Sequence, residues 1–197
     1  MDYPLTMTFK ILALAPQVYV RDTAGEPLLY VRQKLLKLKE KIQVFRDDSK
    51  ADQLFEINAD RVIDFSARYN FSDPAGNPVG SIKRQGARSL WRATYEIADN
   101  AGDVLFTVRE ENPWVKLMDG ILGEIPLVGA LTGYFLNPAY RVSRNGSEGS
   151  SLRIVKHRSF LESRFEITRE DADVSGREEI TVLLGILMMV LLERSRG

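Results

Sequence analysis

The stretch from Ile180 to Leu192 (ITVLLGILMMVLL) is apolar on every face of a helix, so any fold this chain adopts must shield it all round. A helix of that length spans about 20 Å at 1.5 Å per residue, and a bilayer core takes about 17 to 25 residues. The expectation is therefore a core helix over about residues 178–193, buried inside protein. Its flanks read as helix ends. Ser175 and Glu178 have capping-box spacing, Glu178 and Glu179 suit the positive N-terminal end, and Arg194 and Arg196 suit the other.

What surrounds that helix is bounded by composition. The 197 residues are 44% hydrophobic, enough for a sizeable core. Lys plus Arg equals Asp plus Glu at 27 each, which gives no global basic field of the kind that non-specific nucleic-acid binding needs. No nucleic-acid partner is expected. Cysteine is absent, which removes disulfides, thiolate metal sites, cysteine nucleophiles and S-palmitoylation together. Met1-Asp2-Tyr3-Pro4 lacks the basic start and small-residue cleavage site of a signal peptide. A cytoplasmic protein is the reading, with a peripheral position at the inner membrane face as its extension.

Before Ser175 the chain reads as strand after strand. Apolar and polar residues alternate in Gln17 to Arg21, Tyr69 to Phe71, Tyr95 to Ile97, Val104 to Val108, Tyr140 to Val142 and Phe165 to Ile167. Turn clusters of similar chemistry lie between them: Asp22-Thr-Ala-Gly25, Asp73-Pro-Ala-Gly76, Asp99-Asn-Ala-Gly102 and Arg144-Asn-Gly146. Asp or Asn supplies side-chain turn bonds and Gly accepts positive φ, so each cluster predicts a hairpin. The segments predict a mainly β fold: a closed antiparallel barrel of about twelve strands, with the hydrophobic C-terminal helix buried in it. A barrel near eight strands is filled by its own side chains, whereas about twelve leave a lumen for a helix about 10 to 12 Å across. Residues 1–197 then form a single domain.

Several segments, in order, resemble the LURP-one-related family. They are Tyr30 to Leu36, Gly80 to Arg84, Ser89 to Ile97, Asn137 to Val142 and Phe165 to Ile167, with the acidic lead into the last helix. The family is grouped with the tubby C-terminal-like and phospholipid scramblase-like folds, so the resemblance implies a barrel of about twelve strands around a hydrophobic C-terminal helix. It also implies a lipid-associated or interaction module, and it brings no catalytic residues to transfer.

Three segments are candidates for function. An apolar helical insertion at about residues 112–137 puts Trp114, Leu117, Met118 and Ile121 on one helical face. With Tyr134 these residues suit a membrane interface or a protein partner, or equally a plug in one barrel mouth. Between Leu28 and Arg46 the bases Arg32, Lys34, Lys37, Lys39 and Lys41 outnumber the acids, and Lys83, Arg84 and Arg88 form a second basic run. Such runs attract anionic headgroups at about 1 kcal/mol per residue near the surface, or are simply solvated. Asp171, Asp173 and Ser175 imitate the opening of a calcium loop, with Gly176 at position 6. Position 12, the bidentate Glu of such loops, is Val182. The scramblase-like resemblance also points to calcium in this region.

Catalytic constellations are missing from the sequence. His157 is the lone histidine, between Lys156 and Arg158, and no phosphate-binding glycine motif occurs. The expectation is a non-catalytic module without a cofactor, binding an anionic phospholipid or phosphoinositide surface or a protein partner. The alternatives are a soluble scaffold or internal ligand carrier, and a scramblase-like or tail-anchored membrane protein. Burial of the terminal helix has a direct test. Leu187→Asp should abolish the folded, soluble protein in a sedimentation and circular-dichroism assay, whereas a disposable anchor would leave a folded domain.

Overall fold

Alternating side chains decide which face of the first strand turns inward. In β1 (Leu5–Lys10), Leu5, Met7 and Phe9 are buried, with Thr6 and Thr8 between them only partly so. The chain goes on through β2 (Gln17–Arg21), β3 (Pro27–Arg32), β4 (Ile42–Phe45), β5 (Gln53–Ala59) and β6 (Arg68–Ser72). It continues through β7 (Pro78–Arg84), β8 (Thr94–Asp99), β9 (Val104–Glu110), β10 (Ala139–Arg144), β11 (Leu152–Arg158) and β12 (Glu162–Arg169). A single helix follows, α1 (Gly176–Arg194). The computed structural model describes residues 1–10, 17–32, 41–61, 67–86, 93–111, 138–158 and 162–194.

Each described strand pairs antiparallel with its sequence neighbours, and β1 pairs with β12 as well as with β2, so the sheet closes into a twelve-stranded barrel. Closure leaves no edge strand to template aggregation. Among the described residues the β3–β4 seam is the sparsest, with Tyr30 opposite Phe45.

The hairpin turns follow their sequence signature. At Asp99 the Gly102 N–H donates to the Asp99 carbonyl at 3.2 Å, and Asp99 Oδ1 accepts from the amides of Ala101 and Asp103 at 2.9 and 3.0 Å. Gly102 has φ +94°, and the register shifts between Ile97 and Ala98 just before the turn, the combination expected of a three-residue hairpin loop with a bulge. The Asp22 and Asp73 turns repeat it, with Gly25 and Gly76 at φ +84° and +88°. The β4–β5 turn differs, because Lys50 at φ 59° takes the place of a glycine.

The core lies inside the barrel, and α1 occupies it. Every residue from Val182 to Leu191 other than Gly185 is at most 2% exposed. The helix begins at Gly176, two residues before the expected position, and the Glu178 carboxylate is held by Arg144 at 2.7 Å. Its closest approach is to β7 and β8. A Cβ on Gly185 would stand 2.5 Å from Ile97 Cδ1 and 2.8 Å from Cγ1; one on Gly80 would stand 2.6 Å from both the Ala98 carbonyl and Thr181 Cγ2. Missing side chains at these two glycines let helix and wall touch.

Two effects compete at Gly185. Alanine in a helix interior gains about 1 kcal/mol over glycine, while forcing a methyl into a packed core costs about 1 to 3 kcal/mol. Both offending atoms belong to a fully buried side chain, so the steric cost should win and Gly185→Ala should lower unfolding free energy in urea titration. Ile97→Val deletes Cδ1. In a double-mutant cycle it should recover at least about 0.5 kcal/mol of that loss, and strict additivity would rule out the contact as the cause.

Candidate functional site

The barrel has two unlike ends. Tight hairpin turns, the N-terminus and the start of α1 gather at one end; at the other stand the strand ends Lys10 and Gln17, Arg32 and Ile42, Arg84 and Thr94, and Glu110 and Ala139. The turn end is acidic. Residues 1–4, the turns with their flanking strand residues, and the first turn of α1 hold fifteen of the 27 acidic residues and six of the 27 basic ones. The rest of the chain therefore carries nine excess positive charges.

Several of the acids at the turn end fix the helix. Arg144 Nη2 donates to Glu178 at 2.7 Å and to the Asp173 carbonyl at 2.6 Å, its Nε donates to Asp173 at 3.2 Å, and its guanidinium lies 4.7 Å from the Phe106 ring centre. Ser151 donates to the same Asp173 oxygen at 2.8 Å, and Arg169 pairs with Glu179. Arg169 also stacks 4.3 Å over Tyr3, whose hydroxyl pKa is raised by burial and by Glu179. Asp173, named above for calcium, is thus committed to Arg144 and Ser151, and Asp171 Oδ1 accepts from the Ala172 amide at 2.7 Å. Among the described residues no group of three or more His, Cys, Asp or Glu side chains is placed to hold a metal ion.

The basic candidates fall toward the far end. Arg32 is exposed at the close of β3, Lys41 pairs with Glu56, and Lys83 projects from the outer face of β7. Arg84 instead points inward, 5.8 Å from the ring centre of the buried Tyr95, whose hydroxyl donates to Glu193 at 2.5 Å. Burial and Glu193 push the Tyr95 hydroxyl pKa upward; burial does the same for Tyr140 beside it. Lys34, Lys37, Lys39, Arg88, Trp114, Leu117, Met118, Ile121 and Tyr134 lie outside the described residues.

One cluster was not visible in the sequence. Arg109 stands opposite Arg141, and Arg141 opposite Arg153, in register across the outer faces of β9, β10 and β11. Glu111 accepts from Arg153 Nε at 2.9 Å and Nη2 at 3.0 Å, and lies 3.4 Å from Arg141 Nη2. The bond from Arg153 holds the Glu111 carboxyl pKa below its usual range. Separations of 32 and 12 residues hide such a row until strand register is known. A groove of about 430 Å³ is a separate feature, floored by Phe55, Pro78, Val79 and Ile180 at the turn end.

These features define a class: a closed twelve-stranded barrel wrapped around a hydrophobic C-terminal helix, with a charged exterior. The LURP-one-related family profile matches residues 27–186, and the chain belongs to that family. No curated protein and no solved structure matches the chain. The matched span opens at β3, so β1 and β2, which complete the closure, lie before it.

The Glu111–Arg153 pair gives a pH signature. A carboxyl whose folded pKa is depressed contributes stability that is complete above its unfolded value, 4.5 here, and is lost as pH falls through the folded value. Glu111→Gln should therefore cost about 0.5 to 1 kcal/mol at pH 7, the scale of a partly exposed pair. Urea titrations at pH 7, 5, 4 and 3 should show parent and variant converging only below about pH 4.5. A gap independent of pH would contradict the assignment.

Proposed function

We propose that the barrel is a non-catalytic, cytoplasmic module that binds peripherally to anionic phospholipid headgroups through its basic far end and wall. The observation that carries this reading is the segregation of charge: an acidic turn end against nine excess positive charges elsewhere. Overall neutrality does not oppose it. The helix of 19 residues spans about 28 Å from end to end, several times the Debye length of about 8 Å at physiological ionic strength. An anionic surface at the far end attracts the nearby cations and is screened from the distant acids.

Other readings draw less support. An internal carrier needs an open lumen, and the interior is lined by α1 side chains from Val182 to Leu191. No helix among the described residues is long and apolar enough to cross a membrane, which leaves a tail anchor without a described element to build on. Engagement of a protein partner is favoured by the apolar groove at Phe55, Val79 and Ile180, with Asp73 and Arg177 at its rim.

Co-sedimentation tests the lipid reading. The parent should pellet with phosphatidylcholine vesicles containing phosphatidylserine, stay in solution with phosphatidylcholine alone, and be released by salt. Changing Arg32, Lys41 and Lys83 to Glu should weaken partitioning by about a hundredfold, three sites at about 1 kcal/mol each. A parent that ignores anionic vesicles at low salt would remove this reading in favour of a protein partner.

A further inference from the structure

The arginine row on β9, β10 and β11 is costly to assemble. Residues directly opposite in antiparallel strands hold their Cβ atoms about 4.5 to 5.5 Å apart, and like charges there repel. Arg109, Arg141 and Arg153 are three cations in one such row. Glu111 answers two of them: it takes both bonds from Arg153 and approaches Arg141. Arg109 is exposed and has no carboxylate partner among the described residues. On the same outer face Thr107 stands opposite Ser143, one step along from the Arg109–Arg141 pair. Two guanidiniums and two hydroxyls thus form the corners of one patch. Besides Glu111, the acid Glu96 stands opposite Thr107 on β8 and is bonded by Gln85.

That donor set matches one chemistry. Guanidinium forks pair bidentately with tetrahedral oxyanions, and hydroxyls can fill the remaining acceptor positions. The three cations of the row with their one counterion, Glu111, leave two positive charges, more than a phosphodiester, with its single negative charge, would balance. A phosphomonoester carries about −1.5 to −2 at neutral pH and balances them. We propose that Arg109 and Arg141, with Thr107 and Ser143, bind a phosphomonoester, while Arg153 positions the Glu111 counterion beside them. The lipid source of that group rests on the membrane-surface reading above; the anion site itself does not.

The test uses Arg109→Gln/Arg141→Gln, which leaves the Arg153–Glu111 pair in place. Parent and variant are sedimented with phosphatidylcholine vesicles carrying phosphatidic acid, a phosphomonoester, or phosphatidylglycerol, a phosphodiester, at matched surface charge. The parent should prefer phosphatidic acid by tenfold or more, and the variant should lose the preference while keeping residual binding to both. Equal binding by the parent, or a preference that survives in the variant, overturns the site and leaves the surface reading intact. A second arm adds glycerol 3-phosphate against chloride of equal ionic strength and reads the thermal midpoint. If no vesicle binds, a midpoint raised in the parent alone sustains the site with a soluble phosphomonoester and removes the surface reading; no shift overturns both. Relief of like-charge repulsion should leave the variant's own midpoint equal or raised by about 2 °C. A lowered midpoint would make the row structural and overturn the proposal.

Discussion

A helix that is apolar on all sides has one stable arrangement in a water-soluble fold, which is to be wrapped, and the barrel is what wraps it. The contact is close enough to set its own sequence requirements. Gly185 lets the helix backbone approach Ile97, and Gly80 lets β7 pass beneath Thr181 without a methyl striking the Ala98 carbonyl. Each buried Leu, Ile, Val or Met contributes about 1.5 to 3 kcal/mol relative to exposure. The inner faces of the strands and the faces of α1 thus form one apolar interface. Once that interface takes the interior, polar chemistry is left to the turns, the rims and the outer wall.

Much of this was legible in the sequence because both periodicities are strong. The two-residue alternation and the recurring Asp-x-Ala-Gly turns named the hairpins, and the length and flanks of the apolar run named a buried helix. What was not legible has identifiable causes. The β4–β5 hairpin lacks the glycine signal because Lys50 adopts the left-handed conformation, and the stretch from Leu28 to Arg46 reads as a basic run although it holds most of β3 and all of β4. The capping-box spacing of Ser175 and Glu178 was real as a pattern, yet Arg144, far away in sequence, takes the Glu178 carboxylate. A local motif competes with tertiary partners that single-sequence reasoning does not see.

The candidate site was less legible, for the same reason. Basic residues that are neighbours in sequence, such as Lys83 and Arg84, are sent by strand alternation to opposite faces: Lys83 outward, Arg84 inward over Tyr95. Residues distant in sequence, Arg109, Arg141 and Arg153, are brought side by side by register. Clusters counted along a β chain therefore overstate some patches and miss others. The unit that matters is the alternate residue on paired strands.

The polarity of charge follows from how the fold is made. Hairpins of this type use an Asp whose carboxylate accepts two backbone amides, and such turns recur on one side of the barrel, so turn chemistry by itself loads that end with acid. Helix α1 starts there too, and its first turn adds Glu178 and Glu179 against the positive end of the helix dipole. Carboxylates required for folding thereby collect where α1 begins. Because acids and bases balance over the whole chain, the excess of bases has to appear on the wall and at the opposite end. A chain of zero net charge thus becomes an electrostatic dipole, negative where α1 begins.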